Sequence, residues 1–198
     1  MGKQQKNQKG NNKIFSTNNG YDIGKLRVRR FVAMIIDWYI ASMIAAIPVT
    51  FYFNKETYIS AADFQLANYD LNIAVFLGIF AVLSGIIYYA IIPMFIFKGQ
   101  TLGKKLLKIK VVKQDKSEVD AKTILIREVL GSTLFEGGIV TTAIYLRQLV
   151  QLFVPFNIFT PWTYLAYIVT IISIGIAYFN KDSLTIHDKI AKTILIKI

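Results

Sequence analysis

Cysteine is absent from this chain, and histidine occurs once, at His187. The first absence excludes a disulfide framework, thiolate catalysis and a cysteine metal site; the second excludes chemistry that needs a cluster of imidazoles. Acidic side chains are also scarce, 12 against 23 Lys and Arg, for a formal net charge of +11. No soluble module interleaves those basic residues with aromatics, so a nucleic-acid partner is not expected. No nucleophile–base set, phosphate loop or metal-ligand spacing appears either. The chain is therefore read as no enzyme, with no cofactor and no metal.

Apolar side chains are plentiful: 54% of 198 residues, with mean hydropathy +0.45. They gather in long blocks rather than short alternating runs, which is the pattern of a membrane protein. The first 24 residues carry Lys, Gln, Asn and Gly with little to bury, and read as a disordered basic cytoplasmic tail. A cleavable signal peptide is not expected, because no short apolar core follows the first lysines. Lys6 stands where an N-myristoylation signal wants Ser or Thr.

The apolar blocks place spans at about 31–53, 71–97, 135–156 and 161–179. Pro48 is a possible kink near the end of the first. Between and after the spans, 98–132 and 180–198 form a basic layer. Gly99 to Leu107 reads as a turn and a short surface helix, and Ala121 to Leu130 as a second, ended by Gly131. Lys108–Lys113 and Thr193–Ile198 alternate in the manner of strands and could pair. The fold class is thus an all-α membrane protein, a four-transmembrane-helix bundle with a small cytoplasmic layer of interfacial helices plus a two-stranded sheet. Eight Lys or Arg precede the first span and nine follow the second, against one in the 54–70 connector. That asymmetry puts both termini and the middle layer in the cytoplasm, in a cell membrane with anionic lipids.

Arg30 opens the first apolar block and Asp37 lies seven residues inside it. Two helical turns put both on one face, Asp37 about 10 Å deeper. Ala33, Asp37, Ala41 and Ala45 follow at four-residue steps, a small-residue seam with a carboxylate in it. An ionisable group at that depth costs about 2.5–3.5 kcal/mol on insertion scales, so function is the first thing to ask of it. One reading is a proton or monovalent cation site, with Ser42, Thr170 and Ser173 as further oxygen ligands. The other is an ion pair with Arg30 or Arg147 that fixes packing. Arg147, Gln148 and Gln151 share a face and either line a polar path or bond neighbouring helices. Lys104, Lys105 and Lys108 read as a contact for anionic lipid. Gly78, Ala81 and Gly85, and separately Thr163, Ala166, Thr170, Ser173 and Ala177, form two further small-residue faces.

Three segments resemble the RDD family of small integral membrane proteins, named for one arginine and two aspartates. They are Arg30–Asp37, Gly99–Val112 with Leu125–Glu128 following, and Leu184–Thr193, in the family's order. By position the name-giving residues are Arg30, Asp37 and Asp188, and residues 25–198 form the family-like membrane domain. Lys108 and Lys192 stand where glycine is expected in many relatives, which concerns local turns. The resemblance implies a multi-span membrane protein; some relatives are described as sodium or other cation/proton antiporters, others only as transport or accessory proteins. Asp188 could fold back beneath the first span and meet Arg30, as a structural latch or as a gate. His187 reads as a hydrogen-bonded structural residue beside it, or as a proton relay.

The function expected is a secondary transporter exchanging monovalent cations for protons at Asp37. Four helices make a thin conduit, so a homo-oligomer joined through the small-residue faces is expected with it. The alternative is a non-transporting scaffold or accessory subunit whose basic layer docks a partner or anionic lipid.

Overall fold

The computed structural model describes residues 20–52 and 65–198. The tail up to residue 19, the end of the first span at Phe53 and most of the connector lie outside the described residues. Helix α1 runs Gly20–Tyr52, so the last residues assigned to the tail are already helical. It continues through Pro48, and its membrane-length stretch is Ile23–Pro48. Helix α2 spans Leu71–Ile96, after a 3-10 turn at Leu66–Asn68. Its second half, Ile87–Ile96, is widened to a π-helix. Pro93 lies within that part, and widening relieves the clash that its ring would make in a normal turn.

A short helix α3, Leu102–Leu106, leads into strand β1, Ile109–Lys113. Helix α4, Ala121–Glu136, follows; it does not stop at Gly131 but continues as a π-helix from Ile126. Gly131 instead allows contact, since a Cβ there would lie 2.6 Å from the His187 Cβ. The stop is Gly137, in the left-handed region at φ +41. Helix α5, Thr141–Phe153, resumes after this break, bent 60° from α4. The expected third span at 135–156 is therefore a broken one. Among the described residues, three helices are individually long and apolar enough to cross a bilayer, and α4 with α5 make a fourth only when counted together. Helix α6, Phe159–Phe179, is the last of the three. Helix α7, Ile186–Ile190, and strand β2, Thr193–Lys197, complete the layer.

Packing follows the small-residue faces. Ala33, Asp37, Ala41 and Ala45 are all buried on α1, and Ala45 joins Leu66, Ala74, Leu77, Ala81 and Tyr145 in one core. On α2, a Cβ at Gly78 would strike Leu149 and one at Gly85 would strike Thr142, so this stripe seats α5. The faces expected to join two copies are thus spent inside one chain. The small side chains that would let a second backbone approach have admitted α5 instead. Phe76, Leu83, Leu165, Ile171 and Phe179 point outward, as helices facing acyl chains require.

The expected sheet forms: β1 pairs antiparallel with β2, from Ile109 opposite Lys197 to Lys113 opposite Thr193. The two strands are reached by the same local plan. Thr101 accepts from the Lys104 amide and Thr185 from the Asp188 amide, each capping a five-residue helix. Each helix ends on a lysine in the left-handed region, Lys108 at φ 54 and Lys192 at φ 52. These are the two positions where the family resemblance led glycine to be expected, and a left-handed backbone is one that glycine adopts without strain. A β-carbon there costs about 1–2 kcal/mol, partly offset by the entropy glycine loses on folding. Lys108→Gly and Lys192→Gly are therefore expected to stabilise the protein, each by about 1 kcal/mol, read as a higher melting temperature in detergent. A fall in melting temperature for both would refute the strain.

Candidate functional site

Each Thr-capped turn grips α1 through one charged residue, Asp37 or Arg30. Asp37 takes the first turn. Its Oδ1 accepts from the Tyr88 hydroxyl at 2.6 Å and from the Gly103 amide at 2.8 Å, while Oδ2 accepts from the Thr101 hydroxyl at 2.5 Å. A Cβ on Gly103 would lie 2.5 Å from the Ala33 carbonyl, so only glycine lets the turn come this close. Asp37 is 3% exposed, and all three donors are neutral. No basic residue pairs with it among the described residues, contrary to the ion pair with Arg30 or Arg147 considered from sequence. Those two guanidiniums are turned elsewhere, and oriented dipoles stabilise the carboxylate in their place.

Arg30 takes the second turn. Its Nη2 lies 2.6 Å from Asp188 Oδ2 and 2.9 Å from Thr185 Oγ1, and its Nη1 donates to the Ser183 carbonyl at 2.8 Å. Arg127, from α4, reaches the other Asp188 oxygen at 3.0 Å through Nη2 and 3.2 Å through Nε. Asp188 is fully buried and also accepts from the Thr185 amide and hydroxyl. Burial alone would raise its pKa, but the Arg30 and Arg127 guanidiniums outweigh that and hold it well below the usual carboxylate range. The predicted Arg30–Asp188 bond is present, and a second arginine completes it.

Above this clamp, His187 bridges to the α4–α5 break. Its Nε2 lies 3.1 Å from Arg30 Nη2 and 3.0 Å from Arg127 Nη2. Guanidinium nitrogens only donate, so Nε2 must accept and the ring proton belongs on Nδ1. Nδ1 is 2.9 Å from Glu136 Oε2 and donates to it. Glu136 Oε1 accepts from the Ser173 hydroxyl at 2.7 Å and the His187 amide at 2.8 Å. Its main-chain oxygen, at the end of α4, accepts from Thr170. Thr170 and Ser173, weighed as ligands beside Asp37, thus serve Glu136.

These groups wall a cavity of about 350 Å³ that also touches Asp37, Lys104 and Glu128. Arg27, Arg30, Lys104 and Arg127 stand at or beside it, with Asp37, Glu128, Glu136 and Asp188. Four cations thus stand against four carboxylates around the cavity, which is the condition for burying so many charges.

The other residues singled out from sequence are dispersed. Ser42 bonds Thr141 at 2.9 Å. Gln148 accepts from the Leu66 amide. Gln151 shapes the α5–α6 turn, accepting from Ile158 and Phe159 amides and donating to the Val154 and Phe156 carbonyls. Arg147 is buried at 2% exposure and caps the α4 terminus, donating to the Gly137 carbonyl at 2.9 Å. They do not assemble with Asp37 into one polar path. Of the three lysines read as lipid-facing, Lys105 and Lys108 are exposed. Lys104 is not: it turns inward to within 4.0 Å of Glu128, and burial pushes its pKa down against that carboxylate.

Glu136 and the Glu128–Arg127 pair are what sequence reasoning missed. Glu136 fell inside the assigned third span, and an acid within a span was itself the signal. The Arg127–Asp188 bond had no local sign, since it closes over 61 residues.

The model of the RDD family matches residues 26–192, most of the chain. No curated protein and no solved structure matches it.

Proposed function

Because this chain belongs to the RDD family of membrane proteins, we propose that it is a secondary transporter exchanging a monovalent cation for protons, with Glu136 rather than Asp37 at its centre. The observation that carries this is the broken helix pair: α4 ends at Glu136 and Gly137 on the wall of the cavity, and α5 leaves at 60°. Transporters place ion sites at such breaks, where carbonyls freed from the helix and a nearby carboxylate replace hydration. Asp37 is the poorer centre because it stands on the unbroken helix α1, away from the α4–α5 break.

Ionised, Glu136 would offer oxygen to a cation arriving through the cavity, with the Ser132 hydroxyl on the same wall. Protonated, it loses that attraction, so a proton and a cation compete for one carboxylate. No bond-making chemistry is assigned. A second copy would meet the exposed α6 face of Leu165, Ile168 and Ile172. The asymmetry of basic residues supports a cell membrane location with both termini cytoplasmic.

In proteoliposomes with an imposed pH gradient, sodium or potassium is expected to dissipate the gradient. Glu136→Gln is expected to abolish the effect, because the amide keeps an acceptor for Ser173 but cannot exchange a proton. Lys105→Gln should leave it intact. Exchange that survives Glu136→Gln would remove the carboxylate from the mechanism. A second reading, the scaffold or accessory subunit, is favoured by the Arg30–Asp188–Arg127 clamp, which ties three segments together. It would leave exposed Lys105 and Lys108 to meet anionic lipid or a partner. Folded wild-type protein that holds the gradient against sodium, potassium and lithium would favour it.

A further inference from the structure

The cavity is open on one side. Phe31, Met34 and Trp38 of α1 face Ile174 and Tyr178 of α6 across it. The two helices share little direct packing: α1 lies on α2 and α3, and α6 on α4 and α5. Phe31, Ile174 and Tyr178 are each more than half exposed, so the mouth is an apolar slot in the outer surface of the bundle. At that depth it opens onto acyl chains rather than water.

One cation stands at the cytoplasmic rim. Arg27 donates through Nη2 to the Asn180 carbonyl at 2.9 Å, and its guanidinium lies 5.3 Å over the Tyr178 ring. Its Nε is buried without a hydrogen-bond partner. The inner cations are matched, Arg30 and Arg127 by Asp188 and Lys104 by Glu128. No carboxylate pairs with Arg27 among the described residues. The slot therefore combines an apolar channel with an unneutralised guanidinium at its headgroup end.

We propose that this slot binds an anionic phospholipid of the cytoplasmic leaflet, one acyl chain between α1 and α6 and the phosphate at Arg27. A guanidinium matches phosphate oxygens in a charge-assisted fork. The neighbouring Lys25 and Arg29 disfavour a zwitterionic headgroup, whose choline would meet further cations. The volume of about 350 Å³ lies within the range of small-molecule sites. Arg27 and Met34 line the same cavity as Glu136, but lipid binding requires no exchange and is measured without it.

Delipidated protein in neutral detergent would be titrated with phosphatidylglycerol and, separately, with phosphatidylcholine of the same chains, read by native mass spectrometry and melting temperature. Phosphatidylglycerol is expected to bind more tightly and to raise the melting temperature more. Arg27→Gln should weaken phosphatidylglycerol about tenfold and leave phosphatidylcholine unchanged. Met34→Trp, which fills the slot, should weaken both, while its lipid-free melting temperature reports folding. Equal binding of the two lipids would overturn the proposal. So would an unchanged preference in Arg27→Gln, which would place the headgroup at Lys105 or Lys108. An equal shift from inorganic phosphate with neutral diacylglycerol would reduce the site to one for a free anion and would also overturn it.

Discussion

Asp37→Ala is expected to lose about 3–6 kcal/mol of stability, because it strands the Tyr88 hydroxyl, the Thr101 hydroxyl and the Gly103 amide in a buried seam. Each orphaned buried donor costs about 1–3 kcal/mol, and the change also opens a void against α3. Asp37→Asn should cost clearly less. Its carbonyl can still receive Tyr88 and Gly103, and its amide can turn to the Thr101 oxygen. The two variants thus separate shape from charge: melting temperatures should fall in the order wild type, Asn, Ala. Were Asp37 chiefly an ion site, Asn would instead abolish exchange at an unchanged melting temperature. That outcome would overturn the structural role given to it here.

Truncating Asp188 should be as severe, for a different reason. Asp188→Ala leaves Arg30 and Arg127 facing each other without their shared anion, and breaking a buried ion pair on one side costs about 3–5 kcal/mol. Removing Arg30 as well as Asp188 should cost much less than the sum of the two, since they act as a unit. The pH dependence has a definite sign. The folded pKa of Asp188 lies well below its unfolded value, so its contribution is complete above about pH 4 and is lost as pH falls through the folded pKa. Melting temperature should therefore drop at acid pH more steeply in the wild type than in Asp188→Asn. Parallel acid profiles would show that the carboxylate is not held by the two arginines.

Much of this was legible in the chain because it is written in short-range pattern. Apolar blocks of spanning length marked α1, α2 and α6, since a bilayer leaves the backbone few alternatives to helix. The four-residue steps from Ala33 to Ala45 gave the buried face of α1, and alternation near Ile109 and Thr193 gave the two strands. Lys108 and Lys192 were marked as glycine-like positions by the family resemblance and not by local pattern, and both have a left-handed backbone. The third block was harder. Helical pattern carries across Gly137 and Gly138 without showing that the axis turns by 60° there.

From the chain alone came the long apolar helices of a multi-pass membrane protein and the small-residue face of α1 with Asp37 in it, while Arg30 and Asp188 were marked with Asp37 by the family resemblance. Helical period and hydropathy are local quantities, and they fix those helices without any partner. Which charge meets which was decided only in three dimensions. Asp37 binds neutral donors rather than arginine, Arg127 joins Arg30 on Asp188, and Glu136 takes the oxygens that Asp37 was expected to use. These bonds close over long stretches of chain, and burial lets each carboxylate choose whichever donors packing brings within about 3 Å.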